Sequence, residues 1–236
     1  MIASFAIIAF AALIHASFQL SVSMLTLLSG HAIGRRTAHH KLLQFACSFI
    51  TGVAFMVLLL ISFGAFVLQH AFPQDIPLLV WAIAAGLLIG LGVAVWVFYY
   101  RHEKGTSLWL PRDVARYLAD RTKATKSNAE AFGLGLSSSV GELIFTLAPM
   151  AIAALVLTQL EPLWQLIGVA LYVLISLGSL LIVYVLIGGG HKLSQIQKWR
   201  ERNKHFLQFA AGAGLLILGF YIYVEKVISV IMTGGS

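Results

Sequence analysis

The stretch RHEKGTSLWLPRDVARYLADRTKATK, residues 101–126, carries seven of the chain's sixteen Lys and Arg residues and separates two long apolar runs. Moving outward, the polar gaps alternate. On the N-terminal side, the gap from His70 to Ile76 has no Lys or Arg. The one before it has three (Arg35, Arg36, Lys41), and none precedes Ala3. On the C-terminal side, Gln159 to Leu163 has none, Lys192 to Lys204 has five, and Lys226 stands alone near the end. Fifteen of sixteen basic residues thus fall in three alternate gaps. Loops rich in Lys and Arg stay on the cytoplasmic side of a membrane. The pattern predicts six crossings with both termini on the non-cytoplasmic side of a cell inner membrane.

Composition points the same way. Hydrophobic residues make up 59% of the chain and charged residues 11%, against about a quarter charged in soluble domains. The apolar runs lie at about residues 3–29, 43–69, 77–100, 131–158, 164–188 and 206–224. Each reaches the roughly 20 residues that a helix needs to cross a ~30 Å hydrocarbon core. Lipid offers no partner to an exposed backbone N–H or C=O, so the expected fold class is all-α, a polytopic membrane protein. The net charge of +7 is then a property of loops facing anionic headgroups and gives no reason to expect nucleic acid. The first run has no basic segment before it and reads as a span, not as a cleaved signal peptide. A single cysteine, Cys47, excludes an intramolecular disulfide or a paired redox motif and reads as a small buried apolar residue.

The longest gap divides the chain into residues 1–100, a first set of three spans; 101–130, a cytoplasmic linker; and 131–236, a second set. Within the linker, Pro111 and Asp113 are helix-start signals, and Leu110, Val114, Tyr117, Leu118 and Arg121 share one face. A short interfacial amphipathic helix is expected there. Three spans is an odd number, so the second set enters from the opposite side, and related halves would form a 3+3 inverted repeat. Weak self-similarity favours this: Ala9–Ser17 matches Ala131–Ser139 in spacing, and a one-residue shift sets Gln19-Leu20 against Glu142-Leu143.

Polar residues within spans are costly and tend to face a bundle interior or a wet cavity. At 100° per residue, His15, Gln19, Ser23 and Thr26 share a stripe on the first span; Gly135, Ser138, Ser139, Glu142, Thr146 and Pro149 share one on the fourth. Glu142 is the one carboxylate inside any apolar run. Ionised and isolated at the bilayer centre it would cost about 2.5 kcal/mol or more, so it is expected to be protonated or paired. It can act as a proton acceptor or cation ligand, or simply bond a neighbouring helix. His15 could share a proton or metal ion with it, or be a neutral interhelical contact. Gln19 lies one turn from His15, but Gln is a poor metal ligand and no third strong ligand is evident, so no metal site is expected. His31, His39 and His40 read as loop residues. Pro149 cannot bond the Phe145 carbonyl and should kink or break the fourth span about one turn past Glu142. Gly86 and Gly90 form a GxxxG step, and Ala210, Ala211 and Gly214 allow close approach on the sixth span. Gly188-Gly189-Gly190 ends the fifth. Tryptophans and tyrosines such as Trp81, Trp96, Trp164 and Tyr221 read as interfacial anchors.

The second half resembles the transmembrane domain of the CcdA/DsbD family, within the lysine exporter superfamily. The resemblance is carried by Phe132-Gly133-Leu134-Gly135 leading to mid-helix Pro149, by Leu177–Gly190, by the basic segment with Trp199, and by Gly212–Tyr223. It implies a six-helix, three-plus-three inverted scaffold. The family relays electrons through one cysteine in the first span and one in the fourth. Here both spans lack cysteine, so the thiol–disulfide relay does not carry over. The expected function is a transporter, not an enzyme, moving a small solute or cation by alternating access. Glu142 is the expected coupling carboxylate, with His15, Gln19, Ser138, Ser139 and Thr146 lining the site. The alternative is a non-catalytic membrane scaffold or assembly protein that has kept the fold. The expected partners are the bilayer and the small solute or cation, with a homo-oligomer left open. No cofactor is implied.

Overall fold

A computed structural model describes residues 1–18, 36–99, 120, 125–191 and 193–232. Among these it is all-helical, with no strand. The elements are α1 (Ile2–Phe18), α2 (Arg36–Ala71), α3 (Leu78–Ala94), α4 (Asn128–Gly141) and α5 (Leu143–Leu157). Then come α6 (Pro162–Ser176), α7 (Gly178–Gly188), α8 (Leu193–Arg202), α9 (Lys204–Ile222) and α10 (Ser229–Met232). π-helical turns over Val95–Tyr99 and Tyr223–Ile228 extend α3 and α9. Three stretches are each long and apolar enough to cross a membrane: His40–Ala71, Leu78–Phe98 and His205–Met232. The fourth and fifth runs differ from expectation. Each is a pair of helices bent at a break, α4 against α5 by 78° and α6 against α7 by 49°. The interfacial helix expected near Pro111 lies outside the described residues. The last basic gap, expected to be a loop, folds over Leu193–Arg202 as α8.

Local sequence accounts for the helix ends. Ser127 caps α4: its Oγ accepts from the Glu130 N–H, while Glu130 Oε2 accepts from the Lys126 N–H at 2.7 Å. This is a close relative of the capping box. Pro162 opens α6 at a position where a missing N–H costs nothing. α7 closes on the expected glycine run. Gly190 adopts φ +84°, its N–H reaches the Ile187 carbonyl, and the His191 N–H reaches Leu186. These are the two bonds of a Schellman ending, whose left-handed residue favours glycine.

Lipid tails solvate apolar side chains well, so helices in a bilayer associate through close packing more than through burial. The tightest contact joins α2 and α4, which run antiparallel. A Cβ on Gly135 would lie 2.2 Å from the Phe49 carbonyl oxygen, and one on Gly52 would lie 2.2 Å from that of Phe132. Gly135, read from sequence as part of a polar stripe, is therefore the seat of a backbone-to-backbone crossing. α3 and α9 also run antiparallel. Trp96 stacks on Phe209 with centroids 5.4 Å apart and fills the space over Gly212, while Ile89 packs on Gly219. The GxxxG step does not serve this contact: Gly86 and Gly90 are exposed, with nothing within 4 Å of an added Cβ. The glycines used are Gly92, Gly212 and Gly219, because they fall on the face turned to the partner.

α1 sits between the second-half elements, antiparallel to α5 and α9 and parallel to α6. Phe5 packs on Trp164, Phe18 on Phe145, and Ile14 on Gly214. The chain's first helix and the end of α9 thus lie at one end of the bundle. The same end holds Lys226, whose Nζ donates to Gln159 Oε1 at 3.3 Å and sits 5.3 Å over the Trp81 ring. Trp81 is buried beneath that ammonium and is not the surface anchor expected. The opposite end, where Leu43 meets Gly188 and α8 joins α9, carries Lys41, Lys198, Arg200 and Arg202. Large side chains cover the flanks outright: Phe63, Leu79, Leu166 and Val185 are each about two-thirds exposed. Soluble monomers rarely present apolar surface this continuous.

Candidate functional site

The break in the fourth run falls on Glu142 itself, not at Pro149 as expected. Glu142 has φ −85° and ψ −7°; α4 ends before it and α5 starts after it. Pro149 lies inside α5, which continues to Leu157. The stretch before the bend is rich in serine and glycine. Ser137 Oγ donates to the carbonyls of Gly133 and Leu134, and Ser139 Oγ donates to Gly135 at 3.2 Å. Hydroxyls that bond back to the preceding turn loosen and bend a helix. Gly133, Gly135 and Gly141 in the same stretch lower its helical preference further. Pro149, which lacks an N–H and crowds the Phe145 carbonyl, is accommodated inside α5 without a break.

At the bend, the Glu142 carbonyl accepts from the N–H groups of Phe145 (3.0 Å) and Thr146 (3.2 Å), and from Thr146 Oγ1 (3.2 Å). The side chain is 3% exposed. Ser138, one turn back, donates its hydroxyl to Glu142 Oε1 at 3.4 Å. Ser138, Ser139 and Thr146 are buried alongside. The structure therefore brings together four of the six expected site residues around one elbow. A carboxyl, three hydroxyls and the end of a broken helix suit a proton or a small hard cation.

His15 belongs to a second centre. It is buried on α1, and its Nδ1 is hydrogen-bonded to Tyr172 Oη at 2.9 Å, with the two rings edge to face. No hydrogen bond joins it to Glu142. The two centres are neighbours through α1, because Phe18, three residues beyond His15, stacks on Phe145, three beyond Glu142. Gln19 lies outside the described residues. Tyr172 was not anticipated, nor was Ser176, which is fully buried one residue before the 49° bend and donates to the Val173 carbonyl at 2.9 Å. A signal for Tyr172 existed, since it falls mid-run while most other tyrosines and tryptophans sit near run ends. Among the described residues no three His, Cys, Asp or Glu side chains converge as metal ligands. Cys47, expected to be buried, is exposed on α2.

Compared with protein-family models, curated proteins and solved structures, the chain finds no match in any of the three.

Proposed function

We propose that the chain is a six-span inner-membrane transporter, with both termini outside and two inverted three-span halves. It moves a small solute or cation by alternating access. The observation that carries this reading is the elbow at Glu142: a helix breaks at the one carboxylate within the apolar runs. Broken helices at mid-membrane are where transporters of this build hold substrates and coupling ions. Other features lend support. Lys41, Lys198, Arg200 and Arg202 share one bundle end, and α1 lies antiparallel to α9, as an even number of crossings requires. α4 runs against α2, so in this reading the fourth run crosses through α5, with α4 as a bent arm leading into it. α3 and α9, which would be equivalent in an inverted repeat, pack on each other, and each ends in a π-helical turn. Glu142 is the coupling group in this reading, and Ser138 holds it when empty. The scaffold resembling the CcdA/DsbD domain would then serve transport in place of a thiol relay.

A second reading, a non-catalytic scaffold, is favoured by one fact. Ser139 and Thr146 spend their hydroxyls on their own helices, and His15 on Tyr172, as packing residues do. The test is flux. Proteoliposomes carrying the protein should move a substrate from amino-acid and cation screens in a pH-dependent way. Glu142→Gln, close in volume and unable to ionise, should abolish the pH dependence while leaving helicity and insertion intact. Unchanged pH-dependent flux in that variant removes the coupling role. No flux of any screened substrate in the unmodified protein puts the scaffold reading ahead.

A further inference from the structure

The basic helix at the cytoplasm-facing end of this reading has chemistry of its own. α8 joins the closed end of α7 to the start of α9. One side of it faces the protein: Ile196 is buried and Arg200, one turn on, is half-buried. The other side is open and consists of Gln195, Lys198, Trp199 and Arg202, at helical spacing of three and four. Trp199 is 51% exposed, and Phe206, just past the α8–α9 joint, is 68% exposed. An aqueous surface has little use for two such rings, whereas a headgroup layer does. Lys198 and Arg202 stand one turn apart, about 5–6 Å between their Cβ atoms. Neither makes a hydrogen bond or ion pair with another described residue. Glu201, the one acidic residue on α8, is exposed at the edge of this stripe, one turn from Lys198, and acts on the neighbouring Arg200.

We propose that this face is a binding site for the phosphate of an anionic phospholipid. Lys198 and Arg202 clasp the phosphate from two sides, and Trp199 sits at the level of the ester groups. The occupant is a lipid, not a free anion, because the two cations flank an exposed indole and adjoin the exposed Phe206. That apolar surface would be left in water by inorganic phosphate. Surface cations near anionic lipid contribute about 1 kcal/mol each, so each should favour an anionic over a zwitterionic headgroup about fivefold. The site does not depend on what, if anything, the protein transports.

Native mass spectrometry of the full chain in neutral detergent, titrated with phosphatidylglycerol or with phosphatidylcholine of the same acyl chains, tests this. Phosphatidylglycerol should be retained up to about 25-fold more, and the Lys198→Gln/Arg202→Gln double variant should bring the two lipids close to parity. Equal binding of both lipids by the unmodified protein, or an undiminished preference in the double variant, overturns the proposal. Salt gives a measurement independent of the variant's folding. Near 1 M salt the screening length falls to about 3 Å, and the preference should largely vanish; a preference that persists there also overturns it. Inorganic phosphate at millimolar concentration should leave lipid retention unchanged. Displacement of the lipid by phosphate would mean an anion site and end the lipid assignment.

Discussion

The second half of the molecule bends twice, and the two bends differ in polarity. At Glu142 the turn is 78° and sits among three consecutive serines, a threonine and a buried carboxyl. At Leu177 the turn is 49°, and its polar equipment is Ser176 with the nearby Tyr172–His15 pair. The anchoring differs as well. The arm leading into the first bend is locked backbone to backbone against α2 at Gly135, whereas Gly178, at the second, has nothing within 4 Å of an added Cβ. A bend is thus not a site by itself. What marks the first as the functional candidate is polarity held in a fixed frame.

The comparison can be broken most forcefully at its anchor. Gly135→Ala would drive a methyl group into the Phe49 carbonyl, and neither helix backbone can yield without separating. We expect a loss of about 3 kcal/mol in unfolding free energy, read by denaturant or thermal unfolding in detergent. Unaltered stability would mean that α2 and α4 do not cross there. A smaller effect is expected at the second centre. Tyr172→Phe keeps the ring but leaves His15 Nδ1 without its buried partner, which should cost about 1–2 kcal/mol by the same measurement. If that variant also slows flux as strongly as Glu142→Gln, the division into a polar and a merely structural bend is wrong. Least of all should change at Gly178→Ala, which meets open space and should stay within about 0.5 kcal/mol of the unmodified protein. A large loss there would show the second bend to be as tightly framed as the first.

Much of the architecture could be read from residue order because lipid imposes two simple rules. Apolar runs of sufficient length become helices, and basic residues gather on one side. Lys226, the exception to the charge pattern, proved to be held by Gln159 and over Trp81. Glu142, Ser138, Ser139 and Thr146 were visible as a stripe because helical periodicity survives on each side of the bend. The bend's position was not visible. A proline announces itself in a sequence, but hydroxyls bonded to the preceding turn do so only when the rotamers are known. The tertiary partner of His15 was hidden for a related reason. A lone tyrosine in an apolar run carries no mark of which helix it will face 157 positions away. Glycine spacing misled in the same way, since the GxxxG pattern of Gly86 and Gly90 says nothing about which side of α3 meets α9.

The length of α2 has a mechanical consequence. Its 36 residues extend about 54 Å, and the apolar stretch His40–Ala71, 32 residues long, accounts for about 48 Å of that. Even tilted by 40°, near the limit seen for such helices, a rod needs only about 39 Å to traverse a ~30 Å core. If α2 crosses such a core, about 9 Å of the apolar stretch and its basic start lie outside the hydrocarbon. At the start of α2, Gln44 Nε2 and His40 Nε2 lie 3.2 Å apart. In a membrane-spanning reading, α2 would be a mast stepped in the bilayer, and the height of its tip would gauge the local membrane thickness.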